Sequence, residues 1–223
     1  MQRILEPEVM DTQEEAVEYD AMDFTEVNTA FAQRAIELVP PLTNIKVLDV
    51  GTGTARIPIL IGQQRPEWQI IAIDLAKSML EIGQKNVQEA DLQKQIHLDV
   101  IDAKQMPYGD RQFDLVISNS LIHHLPNPLP FLQEVKRVLK PNGAILIRDL
   151  LRPLSQDLMH QIVAAIGSEY SEHQKQLFRD SLQAAFTLEE IKQLVKTAGL
   201  EGINIYQSSE RHWTAEKILN FEF

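Results

Sequence analysis

Apolar positions along this 223-residue chain follow two periods in turn. From Thr25 onward, Val27, Phe31, Ala35 and Leu38 fall on one helical stripe that ends at Pro40-Pro41. A short β-branched run at 46–50 follows, then a helical pattern over 56–64. Residues 68–74 form a strand pattern apolar enough for burial on both faces. A helix to about residue 90, strands at 95–100 and 113–118, and a helix at 130–139 continue the alternation. Residues 139–147 read as a helix end, a Pro-Asn-Gly turn and a fifth strand. Two amphipathic helices, at about 156–166 and 173–185, come next. Thr187-Leu188-Glu189-Glu190 reads as a capping box that opens a helix ending at Gly199. Residues 203–206 and 212–218 read as two closing strands. Strand and helix in alternation indicate a doubly wound α/β fold. Residues 1–20 are acidic and without clear period, and the first ten read as loosely ordered.

The most informative stretch is Asp49-Val50-Gly51-Thr52-Gly53-Thr54-Ala55-Arg56. A strand running into glycines and then a helix places backbone at the carboxyl end of a sheet, where open α/β folds bind ligands. A dinucleotide fingerprint would need glycine at 56, and Arg56 stands there. Asp49 sits where a carboxylate would repel a pyrophosphate but attract a cation. An oxidoreductase using NAD therefore ranks second, although Asp74, ending the second strand, would suit a ribose in either case.

Four ordered stretches together resemble class I S-adenosylmethionine-dependent methyltransferases: D-x-G-x-G-x-A at 49–55, Asp74-Leu75-Ala76-Lys77-Ser78-Met79-Leu80, the D-A-x-x-x-P run from Asp102-Ala103 to Asp114, and Leu139-Lys140-Pro141-Asn142-Gly143. Ala76 and Asn142 depart from the family pattern. Asparagine tolerates the left-handed region that a turn glycine would occupy. The resemblance spans roughly 40–218 and implies a three-layer α/β/α sandwich. Its Rossmann-like, seven-stranded sheet would be mostly parallel with an antiparallel last strand. It also implies that Asp49, Gly51, Thr52 and Gly53 hold the methionine end of S-adenosylmethionine. Asp74 would take the ribose, Leu75 and Met79 would pack near the adenosine, and Asp102 with Ala103 would read the adenine. Asn119, ending the fourth strand, joins this cofactor-binding set.

The acceptor side is less determined. Asn119 is not followed by Pro-Pro-Tyr, which disfavours methylation of a nucleobase amine. His124 and Asp149 are the candidate catalytic residues, because a histidine can act as a base near neutral pH. Tyr19, Arg148, Arg152 and Tyr170 are candidate substrate contacts. The chain divides into an N-terminal helical cover at 1–39 and a methyltransferase domain at 40–223, with a helical lid insertion at about 151–186. That insertion could equally serve a homodimer interface. His123-His124 lacks partners at ligand spacing, so no metal is expected.

Composition narrows the classes further. Hydrophobic residues make up 44% and charged residues 24%, ordinary for a globular protein. Zero cysteines exclude disulfides, thiolate metal sites and a cysteine nucleophile. A net charge of −11 argues against DNA as substrate. No apolar run is long enough to span a bilayer, and no leader pattern is present, so a cytoplasmic address is expected. The reading is a methyltransferase acting on a small molecule. A non-catalytic cofactor-binding regulatory domain remains a further alternative.

Overall fold

The computed structural model describes residues 1–6, 11–41, 44–167 and 170–220. Its seven strands are β1 (Lys46–Val50), β2 (Gln69–Asp74), β3 (Ile96–Val100), β4 (Phe113–Asn119), β5 (Leu139–Leu150), β6 (Asn204–Ser209) and β7 (His212–Lys217). They form one sheet in the order β3-β2-β1-β4-β5-β7-β6. Pairings from β3 to β5 are parallel, and β7 runs antiparallel to both its neighbours. The expected mostly parallel sheet with an inverted last strand is thus present. Strand order reverses between β1 and β4, which opens a crevice at their carboxyl ends.

Eight helices flank the sheet: α1 (Gln13–Asp20), α2 (Thr25–Glu37), α3 (Arg56–Gln64), α4 (Lys77–Glu89), α5 (Leu129–Val138), α6 (Gln156–Ala164), α7 (Glu172–Ala184) and α8 (Leu188–Thr197). Strand residues alternate between two cores. Leu48, Val116, Ile145 and Ile147 pack with Phe131 and Val135 of α5 and Ile191 of α8. Val47, Leu115, Ile117 and Leu146 pack with Phe31 and Ala35 of α2 and Ile61 of α3. This two-faced burial is the reason the strands read as continuous apolar runs. The capping box of α8 is formed, with the Glu190 amide donating to Thr187 Oγ1 at 3.3 Å, and Gly199 ends the helix at φ +69°.

Three expectations need revision. Residues 13–20 form a helix with its own capping box between Thr12 and Glu15. Of the loosely ordered first ten residues, Arg3 and Glu6 are docked. Arg3 donates to the carbonyls of His123, Leu125, Pro126 and Ala184; residues 7–10 lie outside the described residues. Finally, β5 begins at Leu139 without a separate turn, with a register shift opposite Phe113 and Leu115. Neither Asn142 nor Gly143 has positive φ. Gly143 is required for space, since a Cβ there would stand 2.6 Å from Leu139 Cδ1 and 3.0 Å from the Asp114 carbonyl oxygen.

Gly143→Ala is accordingly expected to destabilise the fold by about 1–3 kcal/mol through overpacking. Urea denaturation measures it, and an unchanged midpoint would show that Leu139 simply moves aside.

Candidate active site

A cavity of about 620 Å³ lies at the crevice, walled by the carboxyl ends of β1, β2, β4 and β5 and by the amino end of β7. Its floor begins at the glycine turn. Gly51 has φ +75°, and a Cβ there would come within 3.0 Å of Leu121, so both conformation and space demand glycine. The Gly51 and Thr52 amides donate to the Ile73 carbonyl, tying the turn to β2. Asp74 braces it further, accepting from the Gly53 amide at 2.8 Å and the Ala76 amide at 2.9 Å. Burial raises the Asp74 carboxyl above its ordinary value, and those amides only partly offset it.

Asp49 lies behind this turn and is 2% exposed. Burial pushes its carboxyl up to about 7; the Thr52 hydroxyl pulls it down and Asp74 adds repulsion. Thr52 Oγ1 is itself buried beside it. Together they make a buried, acidic, polar pocket. The ammonium of a methionine moiety, next to a sulfonium, fits it in charge and in hydrogen-bonding capacity. Asp102 lies on the cavity wall while its Oδ1 also accepts from the Lys104 amide at 2.8 Å, an Asx turn. Leu75, Met79, Ala103 and Asn119 line the same cavity. The structure therefore gathers the sequence-derived cofactor set in one place, with Asp49 and Thr52 just beneath the surface.

Tyr19 on α1 covers the turn, its ring 3.7 Å from where a Gly53 Cβ would be. Burial and the nearby carboxylates of Asp74, Asp49 and Asp20 push its phenol up to about 12, so it stays a donor. The cover is latched by a residue whose role the sequence did not suggest. Arg56, first residue of α3, grips Asp20 of α1 through two bonds of 2.9 and 2.6 Å. Val27, expected on the buried stripe, is instead 43% exposed and borders the cavity.

On the acceptor side, Arg148, Tyr170 and His124 face the cavity together with Phe178 of α7. Two candidates do not. Asp149 is 1% exposed; it accepts from the Leu150 amide and from the His123 amide, and lies 2.5 Å from His123 Nδ1. It holds His123 and is not among the residues that line the cavity. Arg148 and Asp149 alternate across the strand, so only one of them can face the ligand. Arg152 is 5% exposed and is spent on Glu190 at 2.6 Å and the Ala185 carbonyl, holding α8 and the end of α7 to β5. The sequence reading also missed Glu6, which lies 3.0 Å from His124 Nδ1 and 3.5 Å from His123 Nε2.

One consequence concerns Asp49. Its folded-state pKa is raised, so its contribution to stability is complete below about pH 4 and is lost as pH rises through about 7. Without cofactor, Asp49→Asn is expected to be more stable than wild type at pH 8, by up to about 4 kcal/mol, and no more stable at pH 4. Thermal unfolding across this range checks it. A wild-type curve flat from pH 4 to 8 would contradict the assignment.

Comparison with known proteins agrees with this geometry. A family model described as a methyltransferase domain matches residues 42–212. A demethylmenaquinone methyltransferase of Thermotoga maritima is 27% identical over 185 residues, 78% of each chain. Other demethylmenaquinone methyltransferases match over about half of their own length, for example 44% and 58%. Among solved structures, an S-adenosyl-L-methionine-dependent methyltransferase fold from Methanococcus maripaludis superposes with a TM-score of 0.71 at 19% identity, covering 98% of this chain and 99% of that one. Haemonchus contortus phosphoethanolamine N-methyltransferase 2 in complex with S-adenosyl-L-methionine gives 0.68 at 21% identity, over 88% of this chain and 44% of that one. The chain belongs to the methyltransferase-domain family and is a class I, Rossmann-like, S-adenosylmethionine-dependent methyltransferase.

Proposed function

We propose that the methyl acceptor is a small molecule with an anionic group, held between β4, β5, β7 and α7, while Asp49, the glycine turn, Asp74 and Asp102 hold the cofactor. Arg148 carries this reading. Its guanidinium is half-buried at the cavity wall, its Nε has no hydrogen-bond partner, its Nη2 lies 3.4 Å from His212 Nδ1, and no carboxylate lies within ion-pair distance among the described residues. Burial, and then the neighbouring Arg211, lower its pKa. A half-buried cation with no carboxylate beside it carries a desolvation cost, and an acceptor carboxylate or phosphate would offset that cost through a bidentate pair. Arg211 and His212 line the same end. His212 is pushed down to about 4 by burial, then by Arg148 and Arg211, so it is a neutral hydrogen-bonding group.

The cavity is thus bipolar. Its β1–β3 side presents Asp74 and Asp102, and its β5–β7 side presents Arg148 and Arg211. A cationic cofactor and an anionic acceptor would each find the opposite sign, which orients the two toward one another. When bound, the cofactor supplies a methyl group on sulfur that is open to in-line displacement. The protein's part is to align the nucleophile and the methyl, on the order of 3–3.5 Å apart, and to exclude water with Tyr19, Leu121 and Phe178. A quinone-type ring is the second reading. It rests on the names of the relatives and on the apolar wall formed by Leu121, Leu125, Leu150 and Phe178.

The test uses S-adenosylmethionine labelled in its methyl group, incubated with a metabolite extract divided into anionic, neutral and organic-soluble fractions. Label should enter the anionic fraction. Arg148→Gln should cut that transfer at least about tenfold while leaving S-adenosylhomocysteine affinity within about twofold. Transfer confined to the organic-soluble fraction and indifferent to Arg148→Gln would replace this reading with the quinone-type one.

A further inference from the structure

Glu6, His123 and His124 meet at the edge of the cavity, beside the short 3₁₀ turn Ile122–His124 that follows β4. Their donor atoms, one from each, all lie within 4.8 Å of one another. Glu6 Oε1 stands 3.0 Å from His124 Nδ1 and 3.5 Å from His123 Nε2. Two ligands of one tetrahedral zinc, each bonded at about 2.0–2.1 Å, are separated by about 3.3 Å. The two distances from Glu6 are therefore already close to the spacing that an ion would impose.

Direction separates this from an ordinary polar cluster. Glu6 Oε1 and His124 Nδ1 are both buried, yet neither has a hydrogen-bond partner of acceptable angle, despite their 3.0 Å separation. Atoms this close that do not point at each other can converge on a third point. The surroundings are those of a metal site as well. Asp149 takes His123 Nδ1 at 2.5 Å, which fixes the ring with Nε2 on the Glu6 side, as carboxylates do behind metal-bound histidines. Ser181 Oγ donates at 3.0 Å to Glu6 Oε2, so the second carboxylate oxygen is occupied and Oε1 is presented. Arg3 donates to the His123 and Leu125 carbonyls and pins the segment that carries Glu6 against the histidine turn.

We propose that Glu6, His123 and His124 form a binding site for one divalent first-row transition-metal ion, of the zinc or ferrous type, at the acceptor end of the cavity. Two imidazoles and one carboxylate suit that class of ion, and a chain without cysteine offers no competing thiolate. His123 and His124 both border the cavity, so an ion held between them would lie beside the place where an acceptor would sit. An acceptor hydroxyl bound there would give up its proton to solvent more readily than a free one. Sequence spacing offered the histidines no third ligand, and the fold supplies it from residue 6. The site stands whether or not the acceptor is anionic, because none of its ligands is shared with Arg148.

The full chain, purified without a histidine tag and stripped with chelator, is titrated with cobalt(II) and then zinc(II), with visible absorption and calorimetry as readouts. One equivalent should bind, with cobalt bands of a nitrogen–oxygen site that zinc displaces. Glu6→Gln and His124→Ala should each weaken binding at least about tenfold, with unchanged near-ultraviolet circular dichroism as the folding control. Absence of stoichiometric binding would leave the cluster a charge-paired network only. Binding that survives both substitutions would place the ion elsewhere. Either result overturns the proposal.

Discussion

A carboxylate buried at the end of the first strand is the constraint on which the site depends. Asp49 is placed there by β1 pairing on both sides, with Ala72 of β2 and Ile117 of β4, so it cannot move to water without breaking the centre of the sheet. In that position it gains too little to compensate for lost hydration, and its proton affinity rises. The glycine turn, the Asp74 brace and the Tyr19 cover are built around that charge.

Much of this was legible because the relevant signals are local. The strand–glycine–helix stretch, the acid at the end of β2 and the Asp102 turn each declare themselves within about a dozen residues, and the fold brings each to the predicted edge of the sheet. Local reading failed where function is assembled over long separations or by strand alternation. Arg148, Asp149 and Arg152 looked equivalent as charges at a strand end; alternation sends Arg148 into the cavity and Asp149 to His123, and Glu190 captures Arg152. α1 was missed because it is polar almost throughout, with only Ala16 fully buried. It is held by Ala16 and Tyr19 against Ala76, Met79 and Ile82 and by the Asp20–Arg56 pair, whose members are 36 residues apart. Glu6 and His123 are farther apart still, and no spacing rule connects them.

The N-terminal forty residues emerge as part of the site. α1 closes over the turn through Tyr19, and Arg3 and Glu6 close over the histidine turn at the opposite end. α6 and α7 complete the enclosure from the other side of the chain, packing around Leu150 and Phe178. The N-terminal segment thus reaches both ends of the cavity and is tied to α7 through Arg3–Ala184 and Ser181–Glu6.

The most direct test of the central claim is the proton balance of cofactor binding. S-adenosylhomocysteine binding is measured by calorimetry near pH 6.5 in buffers of different ionisation enthalpy. If Asp49 is held protonated until the cofactor's ammonium arrives, binding releases a fraction of a proton, and Asp49→Asn abolishes that release while weakening affinity. Binding without proton release, or release that persists in Asp49→Asn, would show that the buried carboxylate is not the cofactor's counter-charge.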